Sequence, residues 1–525
     1  MATYDLNGAQ LDAELSSNFD AAVREQILDY LDDQGVFLNG SATTSESGYG
    51  VTADPAEVVI VSQPIQPSVT FSGNNTPDAF IVDTTADARV VVGSTEELLV
   101  VTSTGDDYVE LISSGDTTVL TGAGEDTIKA GAGADTVFAG EGSDLLVAGS
   151  GNSTLYGEGG DDVLYENGSA GSILDGGAGN DTLYAGGGVG DTLLGGSGSD
   201  YLFAVDGNNS LDGGADNDSL YAGSGVDTLH GGDGSDTLYA GSGSGELHGD
   251  AGDDLIWGAT GYDLYGGAGN DTIWASNEGS LANGGADNDL VYGGQGSDTL
   301  YGGSGDDVIF GEGGNNELYG DAGSDTIYGG SGADTISGGD GNDIIYGSAE
   351  GGEIYGDAGA DTIYASDAST LIDAGADNDL VQGGLGDDTI LGGDGNDTLL
   401  GGAGDNELSG GAGDDWLLAG IGNDTLFGGE GNDSFISGQT SAEMYGDAGN
   451  DTFYIVGATS DTISGGEGFD TVDFSIAGGD YITRSSEDAT IETVDGITTV
   501  SFEDGSTVQL TGVETIRFTD GDVQI

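Results

Sequence analysis

From about Phe80 onward, short apolar runs recur every nine or ten residues: Phe80–Val82, Val90–Val92, Leu98–Val101, Val109–Ile112 and Val119–Leu120. Glycine-rich polar stretches separate them. By Thr121 the recurrence settles into a strict nine-residue period that holds to about Asp473, as in GGDGSDTLY (231–239), GGSGADTIS (329–337), GGDGNDTLL (392–400) and GGEGNDSFI (428–436). Each copy ends in a three-residue strand whose eighth place points inward while places seven and nine point out, following the two-residue period of a strand. A short period held over so long a stretch predicts a stacked repeat architecture.

The flanks follow other patterns. Leu11, Leu15, Phe19, Val23, Ile27 and Leu31 fall at every fourth place, which predicts an amphipathic helix over 10–33 that caps or docks. Residues 39–78 hold all four prolines (Pro55, Pro64, Pro67, Pro77) and read as a linker with one short strand, Val58–Val61. After Asp470 the period stops, and alternating segments predict strands at Thr490–Val494, Thr498–Phe502 and Ser506–Leu510. The expected organisation is 1–38 helical, 39–78 linker, 79–120 irregular first turns, 121–473 regular repeats and 474–525 a β cap.

The nonapeptide G-G-x-G-x-D-x-U-x, with U a large aliphatic, resembles the RTX (hemolysin-type) family of secreted calcium-binding repeat proteins, here without an enzyme domain. The residues give physical reasons for the likeness. Glycines at places one, two and four allow positive φ and carbonyls turned into the turn. The sixth-place Asp adds a carboxylate to those oxygens, and hard oxygen ligands suit Ca²⁺. The resemblance implies an all-β fold, a parallel β-roll or β-solenoid with two nonapeptides per turn and many Ca²⁺ ions between stacked turns.

Written two per turn, the copies separate into two edges. One edge keeps its Asp in every copy: Asp126, Asp144, Asp162, Asp181, Asp200, Asp218, Asp236, Asp254, Asp271, Asp289, Asp307, Asp325, Asp343, Asp361, Asp379, Asp397, Asp415, Asp433, Asp451 and Asp470. The other is interrupted: Asp135, Asp191, Asp227, Asp298, Asp334, Asp388 and Asp424 occupy the place, and copies such as GEGGNNELY (311–319) lack it. All of these aspartates are candidate calcium ligands. The degenerate copies carry Glu246, Glu317, Glu353, Glu407 or Glu443 one place later. These read as outward surface charges, with ligands of a second geometry as the alternative. At outward place nine the unbroken edge repeats aromatic residues: Phe203, Tyr221, Tyr239, Trp257, Trp274, Tyr292, Phe310, Tyr328, Tyr346 and Tyr364. Such a stripe is a candidate interface, or supports its own sheet by cross-strand stacking.

Composition sharpens the picture. The chain has 95 Asp+Glu against 5 Lys+Arg, a net charge of −90, with 106 Gly, no Cys and 2 His. That charge excludes nucleic acid as a partner, and no apolar run is long enough to span a membrane. The absence of Cys excludes disulfides and thiolate chemistry. The two histidines, His230 and His248, both sit inside the repeats and form no H-E-x-x-H, and no nucleophile elbow stands outside the repeats, so no enzyme is expected. Without calcium, so much like charge over so few inward aliphatics predicts an unfolded chain, with folding and ion binding one event. The N-terminus shows no Sec-type signal. The C-terminal segment looks like those by which RTX proteins engage type I secretion machinery, so export is expected. The expected function is a secreted calcium-binding structural protein, self-associating through the aromatic face in an S-layer, sheath or biofilm. The alternative is a calcium-dependent adhesin or carbohydrate-binding module with cell-surface glycans as partners.

Overall fold

A computed structural model describes backbone strands at Thr3–Leu6, Ala42–Glu46, Val58–Val61 and Val69–Ser72, and the chain from residue 79 onward apart from 83–85, 94–96, 113, 167, 169–170, 458–459 and 476–483. The helix expected over 10–33 lies outside the described residues. Thr3–Leu6 pairs antiparallel with Ala42–Glu46, which pairs in parallel with Val58–Val61. The stretch read as a linker thus holds further strands beside Val58–Val61.

The chain divides into two compact units, Met1–Asp263 and Leu264–Ile525. Each is a parallel β-solenoid built from the nonapeptide. Successive strands on one side pair in register one turn apart, as Thr182–Tyr184 with Tyr201–Phe203, or Thr299–Ser304 with Glu317–Ala322. Strands after the unbroken-edge turns are mostly three residues long, whereas those after the interrupted edge run on through the following Gly–Gly pair, as in Thr192–Ser197. Parallel pairing follows from the chain completing a full turn before it returns to the same sheet.

Place eight supplies the core. In the first unit Ile128, Leu146, Leu164 and Leu183 from one sheet face Val137, Leu155, Leu174 and Leu193 from the other, all fully buried; in the second, Ile309, Ile327 and Ile345 face Leu300, Leu318 and Ile336 in the same way. Two aliphatic side chains per turn make a thin core. Their burial has to offset the ordering of a whole glycine-rich turn, so other interactions must hold the turns.

The second unit closes with an antiparallel sheet, Ala489–Val494, Ile497–Phe502 and Thr507–Thr511, whose last strand pairs in parallel with Thr462–Ser464. Thr515–Phe518 covers Thr471–Asp473 in the same manner. Phe474 packs against Phe502 and Phe518, and the Arg484 guanidinium lies 3.9 Å from the Phe502 ring centroid while pairing with Asp504 at 2.9 Å. The open end of the stack is therefore covered by side chains rather than left as exposed strand edge.

Candidate calcium sites on the two edges

The sixth-place aspartates are buried, and each carboxylate has two distinct oxygens. Oδ1 accepts the backbone N–H of the aspartate one turn earlier: Asp126 donates to Asp144 and Asp144 to Asp162, both at 2.7 Å, and Asp307 to Asp325 and Asp325 to Asp343 at the same distance. A second ladder runs the opposite way on the outside of the turns. The place-five side chain accepts the N–H of place five in the following turn, as Asn288 from Asp306 at 2.7 Å and Asp306 from Ser324 at 2.9 Å. Sequence reasoning passed over this ladder; its signal is the recurrence of Asn, Asp and Ser at place five.

Oδ2 is different. In Asp126, Asp144, Asp162, Asp181, Asp200 and Asp218 of the first unit, and Asp289, Asp307, Asp325, Asp343 and Asp361 of the second, it is buried with no hydrogen-bond partner. A buried carboxylate oxygen without a donor is costly, and here it recurs turn after turn. From Asp162 onward each of these faces the first-place glycine of its own copy, whereas Asp126 and Asp144 have Thr121 and Ala139 at that place. A Cβ built on Gly231 would come 2.5 Å from Asp236 Oδ2 and 2.6 Å from the carbonyl oxygen of Gly249 in the next turn. The space is thus a cradle lined by a carboxylate oxygen and a carbonyl, kept open by the missing side chain, and its all-oxygen lining fits Ca²⁺.

The electrostatics varies from turn to turn. On the unbroken edge burial pushes Asp289 up to about 8, with the carboxylates of Asp271 and Asp307 on the adjacent turns adding to it. Asp162 reaches about 8 for the same reasons, between Asp144 and Asp181. On the interrupted edge burial raises Asp298 to about 6 with no carboxylate of a neighbouring turn contributing. There neutral residues alternate with the aspartates. Asp298 donates its N–H to Asn316 Oδ1 at 2.9 Å, and Asn316 to Asp334 Oδ1 at 2.7 Å, so the ladder survives. The Asn316 Nδ2 then donates to the Gly311 carbonyl at 3.1 Å, the one that lines the Asp298 cradle.

Protein donors also reach several Oδ2 atoms of this edge. Gly131 N–H donates to Asp135 at 2.8 Å, the Tyr262 hydroxyl to Asp227 at 3.2 Å and the Ser348 hydroxyl to Asp334 at 2.5 Å. Asp298, Asp388 and Asp424 keep an unpartnered Oδ2. The glutamates one place later lie on the outer face. Glu317, Glu353 and Glu443 are exposed and accept from the hydroxyls of Tyr319, Tyr355 and Tyr445.

The aromatic residues of place nine form continuous stacks. In the first unit Tyr165, Tyr184, Phe203, Tyr221, Tyr239 and Trp257 stack with centroids 4.5–5.1 Å apart. In the second, Trp274, Tyr292, Phe310, Tyr328, Tyr346 and Tyr364 stack at 4.7–5.9 Å. Strand spacing sets these distances.

A solenoid whose turns meet through repeated, donor-less carboxylates belongs to the class of calcium-stabilised repeat folds. The RTX calcium-binding nonapeptide repeat matches residues 112–165, 167–278, 283–350, 353–435 and 455–473, more than half of the chain. The chain therefore belongs to the RTX calcium-binding nonapeptide-repeat family, and it binds many calcium ions. Among solved structures it is similar to a hyperactive, Ca²⁺-dependent, β-helical antifreeze protein from an Antarctic bacterium, with 20% identity, 72% of this chain and 90% of that chain covered, and a TM-score of 0.18. No curated protein matches the chain.

Proposed function

We propose that this is an exported, non-enzymatic structural protein that folds on meeting calcium outside the cell and then assembles with copies of itself through the sheet beside its unbroken edge. The unbroken-edge aspartates are the principal ligands, one cradle per turn, and Asp298, Asp388 and Asp424 add sites on the interrupted edge. Asp135, Asp227 and Asp334, whose Oδ2 atoms accept from protein donors, hold their turns by hydrogen bonds.

One observation carries the assembly reading. Along the unbroken-edge sheet the outward residues of the strands from Thr127–Lys129 to Leu255–Trp257 in the first unit, and from Thr272–Trp274 to Thr452–Tyr454 in the second, include no carboxylate. They are Thr, Ser, Leu, Ile, Val, Gln, Lys and aromatic residues, with Tyr201, Leu255, Ile344, Leu380 and Trp416 well exposed. In a chain of net charge −90, such a face meets another copy without like-charge repulsion, while its apolar surface favours contact. The opposite sheet carries Asp175, Asp212, Glu246, Glu317, Glu353 and Asp373 outward. The stacking weighs against glycan binding as the main role, because each inner ring has its faces covered by its neighbours and presents an edge to solvent.

The test is calcium addition followed by light scattering and negative-stain microscopy. Large ordered particles are expected in millimolar calcium. Replacing Tyr328 and Tyr346 with Asp should abolish them while the β-sheet circular dichroism persists. A wild-type chain that stays monomeric at high concentration in calcium sinks the reading, and its retention on a polysaccharide resin would favour the adhesin.

A further inference from the structure

The chain has two histidines, and the fold of the first unit brings them together. His230 and His248 are register partners on adjacent strands, Val226–Asp233 and Ser244–Ala251, at the outward position of the acidic sheet. Their rings stack with centroids 4.6 Å apart and planes 9° from parallel. Asp250, two residues after His248, stands at a repeat place that glycine fills in other copies, and adopts φ +73° there. Its Oδ2 lies 2.9 Å from His230 Nδ1, and Glu246 Oε2 lies 3.3 Å from His248 Nε2. Asp212 is the register partner of His230 on the preceding strand. One ligand atom from each of His230, His248 and Asp250 falls within 4.8 Å of the others.

We propose that His230, His248 and Asp250 form a surface site for one divalent transition-metal ion of the imidazole-preferring kind, such as Zn²⁺ or Cu²⁺, distinct from the calcium cradles. Imidazole nitrogens select borderline metals over Ca²⁺, and two nitrogens with one carboxylate are a ligand set that Zn²⁺ takes with water in the remaining position. The two rings tilt out of their parallel stack to share the ion, a motion open to half-exposed side chains. Glu246 stays beside His248 as the outer carboxylate that orients a ligating imidazole. Bound there, the metal ties two successive turns from outside, on the face opposite the aromatic stacks.

The probe is the metal alone, added to the full chain without a polyhistidine tag and already folded in millimolar calcium. One equivalent of Cu²⁺ should give the electron spin-echo modulation of the remote ring nitrogen of a coordinated imidazole, and His230 and His248 are the chain's sole imidazoles. Calorimetry with Zn²⁺ should show one site that weakens about 10-fold or more in Asp250→Asn and disappears in the His230→Ala, His248→Ala double variant. The variants should keep their circular dichroism, since all three side chains lie outside the core. An oxygen-only copper spectrum at the first equivalent, or unchanged Zn²⁺ affinity in the double variant, would overturn the proposal. The copper spectrum of the wild type decides it even if a variant fails to fold.

Discussion

At the scale of single residues, the site is defined as much by what is missing as by what is present. Gly302 faces Asp307 Oδ2, and a Cβ on it would come 2.9 Å from the Gly320 carbonyl oxygen as well. Gly302→Ala should therefore fill one cradle while leaving every carboxylate in place. The expected result is one calcium fewer by calorimetry and a local loss of stability in calcium; unchanged stoichiometry would mean that the ion sits elsewhere. Asn406 provides the converse. Its Oδ1 accepts the Asp388 N–H at 2.9 Å, and its Nδ2 lies where a Cβ on Gly401 would meet it at 2.9 Å. Asn406→Asp exchanges that donor for an oxygen between Asp388 and Asp424, whose own Oδ2 atoms are unpartnered. It should raise calcium stoichiometry by one, read by titration. Not every turn position needs glycine: Glu158, Asp250, Asp321 and Asp357 hold positive φ where other copies have it. Positive φ is uncommon for a residue that carries a Cβ, and local hydrogen bonds help accommodate it, as that from Ser337 to Asp357 at 2.5 Å.

At the scale of the turn and its strand, the fold concentrates like charge that the calcium-free chain cannot keep ionised. Burial pushes Asp126 up to about 7 and Asp218 up to about 8, with carboxylates on adjacent turns adding to both. Because the folded value exceeds the ordinary 3.8, the ion-free folded chain binds more protons than the unfolded one. Its stability is fully present below about 3.8 and is lost as pH rises through about 7 to 8. In chelator, β-sheet circular dichroism should thus be stronger at pH 5 than at pH 8, and a flat or opposite dependence would contradict the electrostatic picture. Calcium replaces those protons, so calcium titration at pH 5, where the ion-free chain is still folded, should release protons, visible as a buffer-dependent calorimetric heat. The core strands contribute in a different way. Leu318 is fully buried at place eight, and Leu318→Ala should cost about 2–5 kcal/mol, lowering the urea midpoint in calcium while calcium stoichiometry stays unchanged.

At the scale of the whole molecule, charge has sides. In each unit one sheet's outer face carries no carboxylate over the strands of its regular repeats, the other carries acids, and the turns between them hold buried carboxylates. Removing calcium with a chelator near pH 8 should abolish the β-sheet signal, because the thin core cannot hold turns of buried like charge together. Persistence of that signal would show that the aliphatic ladder suffices. Assembly and folding should separate in the Tyr328, Tyr346 double variant, which keeps its calcium sites and loses its apolar contact.

The amino-acid sequence alone determined the repeat, its two edges, the inward aliphatics and the turn position of aspartates such as Asp126 and Asp307. All of these follow from a nine-residue period and the alternation of a strand, which are local rules. What it left open was which oxygens and nitrogens meet across turns, because residues eighteen apart carry no local mark of their pairing. Only the stacked turns show that Asp307 spends Oδ1 on a neighbour's amide and leaves Oδ2 bare. The same is true of Asn316, which places a donor beside a cradle, Ser348, which satisfies Asp334, and His230, whose ring lies against that of His248. The physical reason is shared: a side chain's worth here depends on the turn above or below it, and the register of that stacking is a tertiary fact.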